Sequence, residues 1–339
     1  MEISTESLLE NEFGFVFRAD ASYEMGTGHV MRILSYAEEL AERGYSTTFV
    51  GDVEQSHWLV EKIALIRNLK WVKSENSYRP DTERNVLMFD SYLFSPDDPF
   101  LELEKWIAVV AIVDDNTPDY LATHYLHPGP IGKWKKPAAA VDARIFSGLE
   151  YIPIRKNLRA VFESRKVENK VPKILIVGGG TDPFEFSNSL VRLISSSAAE
   201  FEAIVFEGKR LVDSDDERFH ITQIGDQFDK NLKSANFVFT TAGTSAWELI
   251  ALRIPCAVAL AVENQRPNYE FIRSQKLAFA VGERVESKWK FNEGEIFQIL
   301  EHLSNLPMLE ALGLNYPDLD GVTRFVSDLI SEIEGSKFK

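Results

Sequence analysis

Short apolar runs alternate along this chain with segments whose apolar residues recur at helical spacing, the pattern of an α/β protein built on parallel sheets. In the first half the runs predict strands at Phe13 to Phe17, Ser46 to Val50, Asn85 to Phe89, Trp106 to Val113 and Thr123 to Leu126. From Val30 the apolar positions step as Ile33, Leu34, Ala37, Leu40 and Ala41 and stop at Gly44, which predicts a helix after the first strand. The pattern breaks between about Pro128 and Val171, where Pro, Gly, Lys and Arg accumulate, so the crossing between two domains is expected near Arg155 to Pro172. A second series of strands follows at Lys173 to Val177, Ala203 to Phe206, His220 to Ile224, Asn236 to Thr240 and Cys256 to Leu260. Phe325, Leu329 and Ile333 form the apolar stripe of a C-terminal helix, expected to pack in the core.

Composition sharpens this division. With 339 residues, 45% hydrophobic and 12% aromatic, the chain has enough apolar surface for two cores. Its 52 acidic residues against 37 basic ones give a net charge of −15, and no strongly basic tract argues for nucleic acid as a partner. An anionic small molecule would therefore need a local cradle, such as a helix N-terminus. The single cysteine, Cys256, forbids an internal disulfide and points to a reducing, cytoplasmic setting. No apolar run approaches the ~18 residues of a membrane span. Residues 1–12 carry four glutamates and no basic region, and are expected to be a solvated extension rather than a secretory signal.

Four segments carry candidate chemistry. Gly26, Thr27, Gly28 and His29 fall between the first strand and the first helix, where free amides and the helix dipole favour an anion and a neutral histidine can accept a proton. Equally, the two glycines make only a turn and His29 bonds a neighbouring loop. Val177-Gly-Gly-Gly-Thr-Asp-Pro183, with Gly179 and Gly180, ends a strand and opens a helix; Thr181 or Asp182 is placed to cap it and Pro183 to occupy its first position. It offers either amides for an anion or a glycine turn for packing. In Thr240-Thr-Ala-Gly-Thr-Ser-Ala-Trp-Glu248, the amides and hydroxyls at Gly243, Thr244 and Ser245 suit a pyrophosphate and Glu248 suits ribose hydroxyls, unless Glu248 merely stabilises the first turn. Asn264 and Gln265 follow a strand and either meet sugar groups or cap the next helix. His124 and His127 near Asp114 and Asp115 lack the further ligands of a metal site; both histidines are assigned structural or hydrogen-bonding roles and both aspartates loop-anchoring ones.

The order of Arg18-Ala-Asp-Ala-Ser, Gly26-Thr-Gly-His-Val-Met-Arg32, Asp90-Ser-Tyr92, Ile112-Val-Asp-Asp115, Gly148-Leu-Glu-Tyr151, Gly179-Gly-Thr-Asp-Pro183, Ala242-Gly-Thr-Ser-Ala-Trp-Glu248, Glu263-Asn-Gln265 and Asp320-Gly321 resembles the PseG family, UDP-sugar hydrolases of pseudaminic acid biosynthesis. The resemblance runs from about Phe15 to Ile330. It implies a GT-B-like fold of two Rossmann-like domains facing a cleft, residues 13–160 and 171–320, with a C-terminal helix over 321–339 packing back toward the first domain. It is similar to the fold of the glycosyltransferase that forms lipid II. It also implies UDP on the C-terminal domain, with uracil near Ile224 and Gly225 to Phe228, diphosphate at Ala242 to Ser245, ribose at Glu248, and sugar at Asn264 and Gln265. Gly179 and Gly180 complete that side. From the first domain Gly26, Thr27, Gly28 and Arg32 would bind substrate and His29 would act as the base, with Asp20 and Tyr92 nearby.

The activity so implied releases UDP and free sugar from UDP-2,4-diacetamido-2,4,6-trideoxy-β-L-altropyranose or a similar donor, without metal or other cofactor. A GT-B glycosyltransferase using a UDP-sugar donor and a non-catalytic nucleotide-sugar-binding protein are the alternatives. The chain departs from the family at Leu126-His-Pro-Gly129, at Pro153 and in the loop Gly129 to Pro137 with Trp134 and three lysines. These departures bear on sugar identity more than on nucleotide binding.

Overall fold

The structure is a computed structural model that describes residues 13–22, 26–54, 56–78, 84–208, 214–303 and 317–336. The extension over residues 1–12 lies outside the described residues.

The strands form two seven-stranded sheets. The first contains β1 (Gly14–Ala19), β2 (Thr47–Val50), β3 (Leu69–Val72), β4 (Asn85–Asp90), β5 (Ala108–Ile112), β6 (His124–Pro128) and β7 (Arg144–Gly148), in the order β3-β2-β1-β4-β5-β6-β7 and parallel throughout. The second contains β8 (Lys173–Val177), β9 (Glu202–Glu207), β10 (Phe219–Gln223), β11 (Phe237–Thr241), β12 (Cys256–Leu260), β13 (Phe279–Val285) and β14 (Lys288–Phe291), in the order β10-β9-β8-β11-β12-β13-β14. Only the last pair, β13 and β14, is antiparallel. Both orders reverse between the first and fourth strands, and that switch point is where doubly wound sheets open a crevice for ligands.

Of the strands expected from apolar runs, β1, β5, β11 and β12 are buried along their whole length, whereas β10, expected at His220 to Ile224, is an edge strand with one buried residue. The strands β3, β7, β13 and β14 are not among those expected; they lie toward sheet edges and are mostly half-buried or exposed, with only Val281 of β13 buried among them. Helix α1 (Gly28–Glu42) starts two residues before Val30, so Gly28 and His29 sit in its first turn and Thr27 precedes it. It ends where expected. Gly44, at φ 84°, lets its own N–H reach Ala41 O and that of Tyr45 reach Leu40 O.

The core changes hands earlier than the polar stretch suggested. Ile152, Ile154, Leu158 and Val161 pack with Leu175, Val177 and Trp247, so α3 (Asn157–Ser164) belongs to the second core and the crossing falls near Leu149 to Ile154, before the expected Arg155 to Pro172. The chain then returns. Helix α9 (Gly321–Ser336) places Val322, Phe325, Val326, Leu329 and Ile333 in the core of the first sheet, against Tyr36 and its neighbours. At Gly321 a Cβ would come within 2.2 Å of the Ile152 carbonyl oxygen, so the outgoing connector and the returning helix can touch only because no side chain intervenes. Among the described residues no helix is long and apolar enough to cross a membrane.

Candidate functional site

A cavity of about 460 Å³ lies between the two sheets, in the size range of small-molecule sites. Its walls include the segments that follow the switch-point strands, together with those at the ends of β5, β6, β10 and β12. On the first sheet, His29 follows β1 and Asp90 ends β4, which bring together residues 61 positions apart. His29 Nδ1 stands 2.5 Å from Asp90 Oδ1. A carboxylate only accepts, so Nδ1 carries a proton, and it is the neutral form of the ring that has a lone pair free on Nε2. Arg32, one turn along α1, donates from Nε to Asp90 Oδ2 at 2.5 Å and from Nη2 to Oδ1 at 2.7 Å.

Burial opposes the Asp90 charge, but Arg32 and His29 outweigh it and hold the carboxyl down at about 2. Burial likewise disfavours the charged Arg32, and Asp90 reverses that, raising its pKa above the ordinary arginine value. The Tyr92 ring meets His29 edge-on, with centroids 4.7 Å apart. Its hydroxyl donates to Asp114 and accepts from Asn264 Nδ2 at 3.1 Å, which bridges the domains.

Asp20 is placed differently from the expectation. Its carboxylate pairs with Arg18 at 2.6 Å and is not among the cavity-lining groups; Asp90 is the acid beside the histidine. The sequence did hold a signal for Asp90, a carboxylate at the end of a buried strand.

On the second sheet, β11 leads through Gly243 into α6 (Thr244–Ala251), whose start carries no side-chain cap. The first amides of a helix have no partner within it, so this end is open to an anion. Ala242, by contrast, is wholly buried in the second core and does not line the cavity. Glu248 is held by Arg155, Nε to Oε1 at 2.6 Å and Nη2 to Oε2 at 3.0 Å, and Arg155 also grips Asp229 through two bonds of 3.0 Å. Arg155 comes from the connector. Its positive charge offsets Glu248, so a carboxylate can stand near a bound pyrophosphate with reduced repulsion.

The other glycine-rich helix start is already filled. Helix α4 (Phe186–Ile194) begins three residues beyond Pro183, and the Asp182 carboxylate accepts from the Phe186 and Ser187 amides at 2.8 and 2.9 Å. Burial pushes the Asp182 pKa up against the effect of these bonds. Gly180 serves close approach: a Cβ there would meet Thr27 Oγ1 at 1.9 Å, across the domain interface. Gly179, at φ 92°, makes the turn.

Gly26, Thr27, Gly28, Ile224, Gly225, Asn264 and Gln265 all line the cavity. Gly225, at φ 144°, precedes α5 (Asp226–Leu232). Gln265 Oε1 accepts from the Ala261 amide at 3.2 Å, which anchors its own loop; Gln265 holds the N-cap position of α7 (Arg266–Ser274) but its side chain makes no capping bond there. Asp114 and Asp115 anchor loops as expected; Asp115 Oδ1 accepts from the Lys133 and Trp134 amides at 2.5 and 2.9 Å. His124 stacks on Phe146 outside the cavity, whereas His127 lines it. Among the described residues no three His, Cys, Asp or Glu side chains group as metal ligands.

No protein-family model matches the chain. It is 22% identical over 345 residues to the spore coat polysaccharide biosynthesis protein SpsG of Bacillus subtilis (strain 168), covering 93% of this chain and 98% of that one. It is 23% identical over 299 residues to the UDP-N-acetylglucosamine--N-acetylmuramyl-(pentapeptide) pyrophosphoryl-undecaprenol N-acetylglucosamine transferase of Lachnoclostridium phytofermentans, covering 77% and 84%. Among solved structures, Arabidopsis thaliana UGT89C1 complexed with UDP superposes with a TM-score of 0.63 at 11% identity, over 93% of this chain and 99% of that one. Acinetobacter baumannii MurG gives 0.58 at 13% identity, over 94% and 99%. With its two seven-stranded, doubly wound sheets facing a cleft, the chain has the GT-B fold of these glycosyltransferases.

Proposed function

We propose that this protein transfers a sugar from a UDP-sugar donor to a hydroxyl acceptor in polysaccharide biosynthesis. The observation that carries the reading is the buried His29–Asp90 pair facing, across one cavity, the uncapped start of α6. The relatives favour transfer over hydrolysis: one carries polysaccharide biosynthesis in its name and another the transfer of N-acetylglucosamine from its UDP ester.

In this reading residues 171–320 hold the nucleotide, with diphosphate at the amides of Thr244 and Ser245, ribose at Glu248 and uracil near Ile224 and Gly225. Residues from the first domain supply the chemistry. An acceptor oxygen attacks the anomeric carbon as the bond from that carbon to the diphosphate oxygen breaks. His29 Nε2 takes the acceptor's proton, Asp90 stabilises the resulting imidazolium, and the α6 amides meet the charge leaving on UDP.

Hydrolysis, as in the PseG-like reading, is the second possibility, with water in the acceptor's place and a diacetamido-trideoxyhexose as the sugar. The Tyr92–Asn264 bond favours it, because it closes the domains over His29. The test is UDP release from a panel of UDP-sugars, with and without a glycan acceptor fraction. Acceptor-dependent release that His29→Ala abolishes is expected for transfer. Stoichiometric UDP release from donor and protein alone selects hydrolysis, and no binding of UDP at millimolar concentration sinks both readings.

A further inference from the structure

The sequence leads to a structural or hydrogen-bonding role for His127, and the structure leaves its hydrogen bonds unmade. It ends the buried part of β6, is 5% exposed and lines the cavity, yet neither ring nitrogen has a hydrogen-bond partner. Buried polar groups are rarely left so, and each orphan calls for an explanation. Trp134 lies against the ring, with centroids 5.9 Å apart, and the bonds from Asp115 fix the loop that carries Trp134. The imidazole is thus held in place with its polar edge unpaired. Burial keeps it neutral, outweighing contact with its own main chain and the attraction of Asp114 and Asp115, while Arg32 acts with burial. A neutral imidazole offers one N–H donor and one acceptor.

A second orphan lines the same cavity from the opposite domain. Tyr92 gives its proton to Asp114, so its oxygen must accept from Asn264 Nδ2; that fixes the amide and leaves Asn264 Oδ1, also buried, as an unpaired acceptor. The two walls meet here, since a Cβ on Gly129 would stand 3.5 Å from Asn268 Oδ1 of α7. Asn264 is bonded to Tyr92, whose ring meets His29, and the charges of Asp114 and Arg32 act on His127, so both orphans lie on the side of His29 and Tyr92.

We propose that His127 recognises a polar ring substituent of the sugar carried by the nucleotide, as donor or acceptor, beside Asn264, where the resemblance already places the sugar. The proposal rests on the UDP-sugar reading of the cleft. A sugar that leaves the imidazole unpaired is rejected, because an unmade buried hydrogen bond costs more than a made one contributes.

The test is calorimetric binding of UDP, UDP-glucose, UDP-N-acetylglucosamine and UDP-L-rhamnose to the wild type and to His127→Leu, with His127→Ala as the replacement should the leucine variant not fold. At least one UDP-hexose is expected to bind the wild type about tenfold or more tighter than UDP. His127→Leu should shrink that advantage by about tenfold and leave the UDP affinity within about twofold. His127→Asn, which keeps a donor and an acceptor, should restore much of it. An unchanged advantage, an equal loss for UDP and UDP-hexose, or a wild type that binds no UDP-hexose more tightly than UDP overturns the assignment. If UDP itself fails to bind the wild type, the reading of the cleft falls first and the sugar site with it.

Discussion

Asp90 ties two turns of α1 to the end of β4, accepting from His29 Nδ1 at 2.5 Å and from Arg32 at 2.5 and 2.7 Å. One carboxylate therefore both orients the candidate base and neutralises a buried guanidinium. His29→Ala and Asp90→Asn are expected to lower turnover by about 10²–10⁴-fold with UDP affinity little changed, because neither side chain is assigned to the nucleotide. Steady-state kinetics alongside UDP titration checks this, and a loss of UDP binding matching the loss of turnover would count against the base assignment.

The same carboxylate predicts an acid-sensitive fold. Its pKa in the folded protein is about 2, below the ordinary 3.8, so the unfolded chain binds the proton more readily. The contribution is fully present above about pH 4 and fades as the pH falls toward 2, amounting to about 2 kcal/mol. Urea melts at pH 7, 4 and 3 should show that increment nearly intact at pH 4 and cut to about half at pH 3 in the wild type, and absent from Asp90→Asn throughout.

Arg155 is expected to matter more for the second domain than for the chemistry. Arg155→Ala leaves Glu248 and Asp229 facing each other without their cation, and removal of one partner from such a buried cluster costs about 3–5 kcal/mol. Arg155→Lys keeps the charge but not the fork, and should fall between. Chemical denaturation ranks the three proteins, and UDP affinity should fall in the same order.

Closure of the cleft depends on Gly180. Gly180→Ala places a methyl group 1.9 Å from Thr27 Oγ1, so the domains are expected to stand further apart. Turnover should drop by about tenfold or more, since a displaced base loses its alignment. Thermal stability should change little, because the clash lies between domains. Adding Thr27→Ala should recover part of the rate; X-ray scattering of both variants measures the opening.

Arg155 and Glu248 lie 93 positions apart, and no local pattern foretells their pairing. Glu248 was legible as a polar group one turn into a helix, whereas its cation sits in a stretch whose Pro and Lys content suggested only a linker. Asp182 shows the converse. The glycine run before it marked a helix start, but only the folded loop reveals that the aspartate itself takes the amides an anion would use.

The sequence by itself determined the central strands, helix α1 and the place where α6 starts, because burial of a strand or a helix face leaves a period of two or 3.6, or a continuous apolar run, in neighbouring residues. The tertiary structure alone decided that Asp90 and not Asp20 stands beside His29, that α3 joins the second core, and that His127 faces the cavity unpaired. Each depends on which strand ends lie side by side. That follows from the order of strands across the sheet, β1 beside β4 and β8 beside β11, and strand order is set by packing between distant segments.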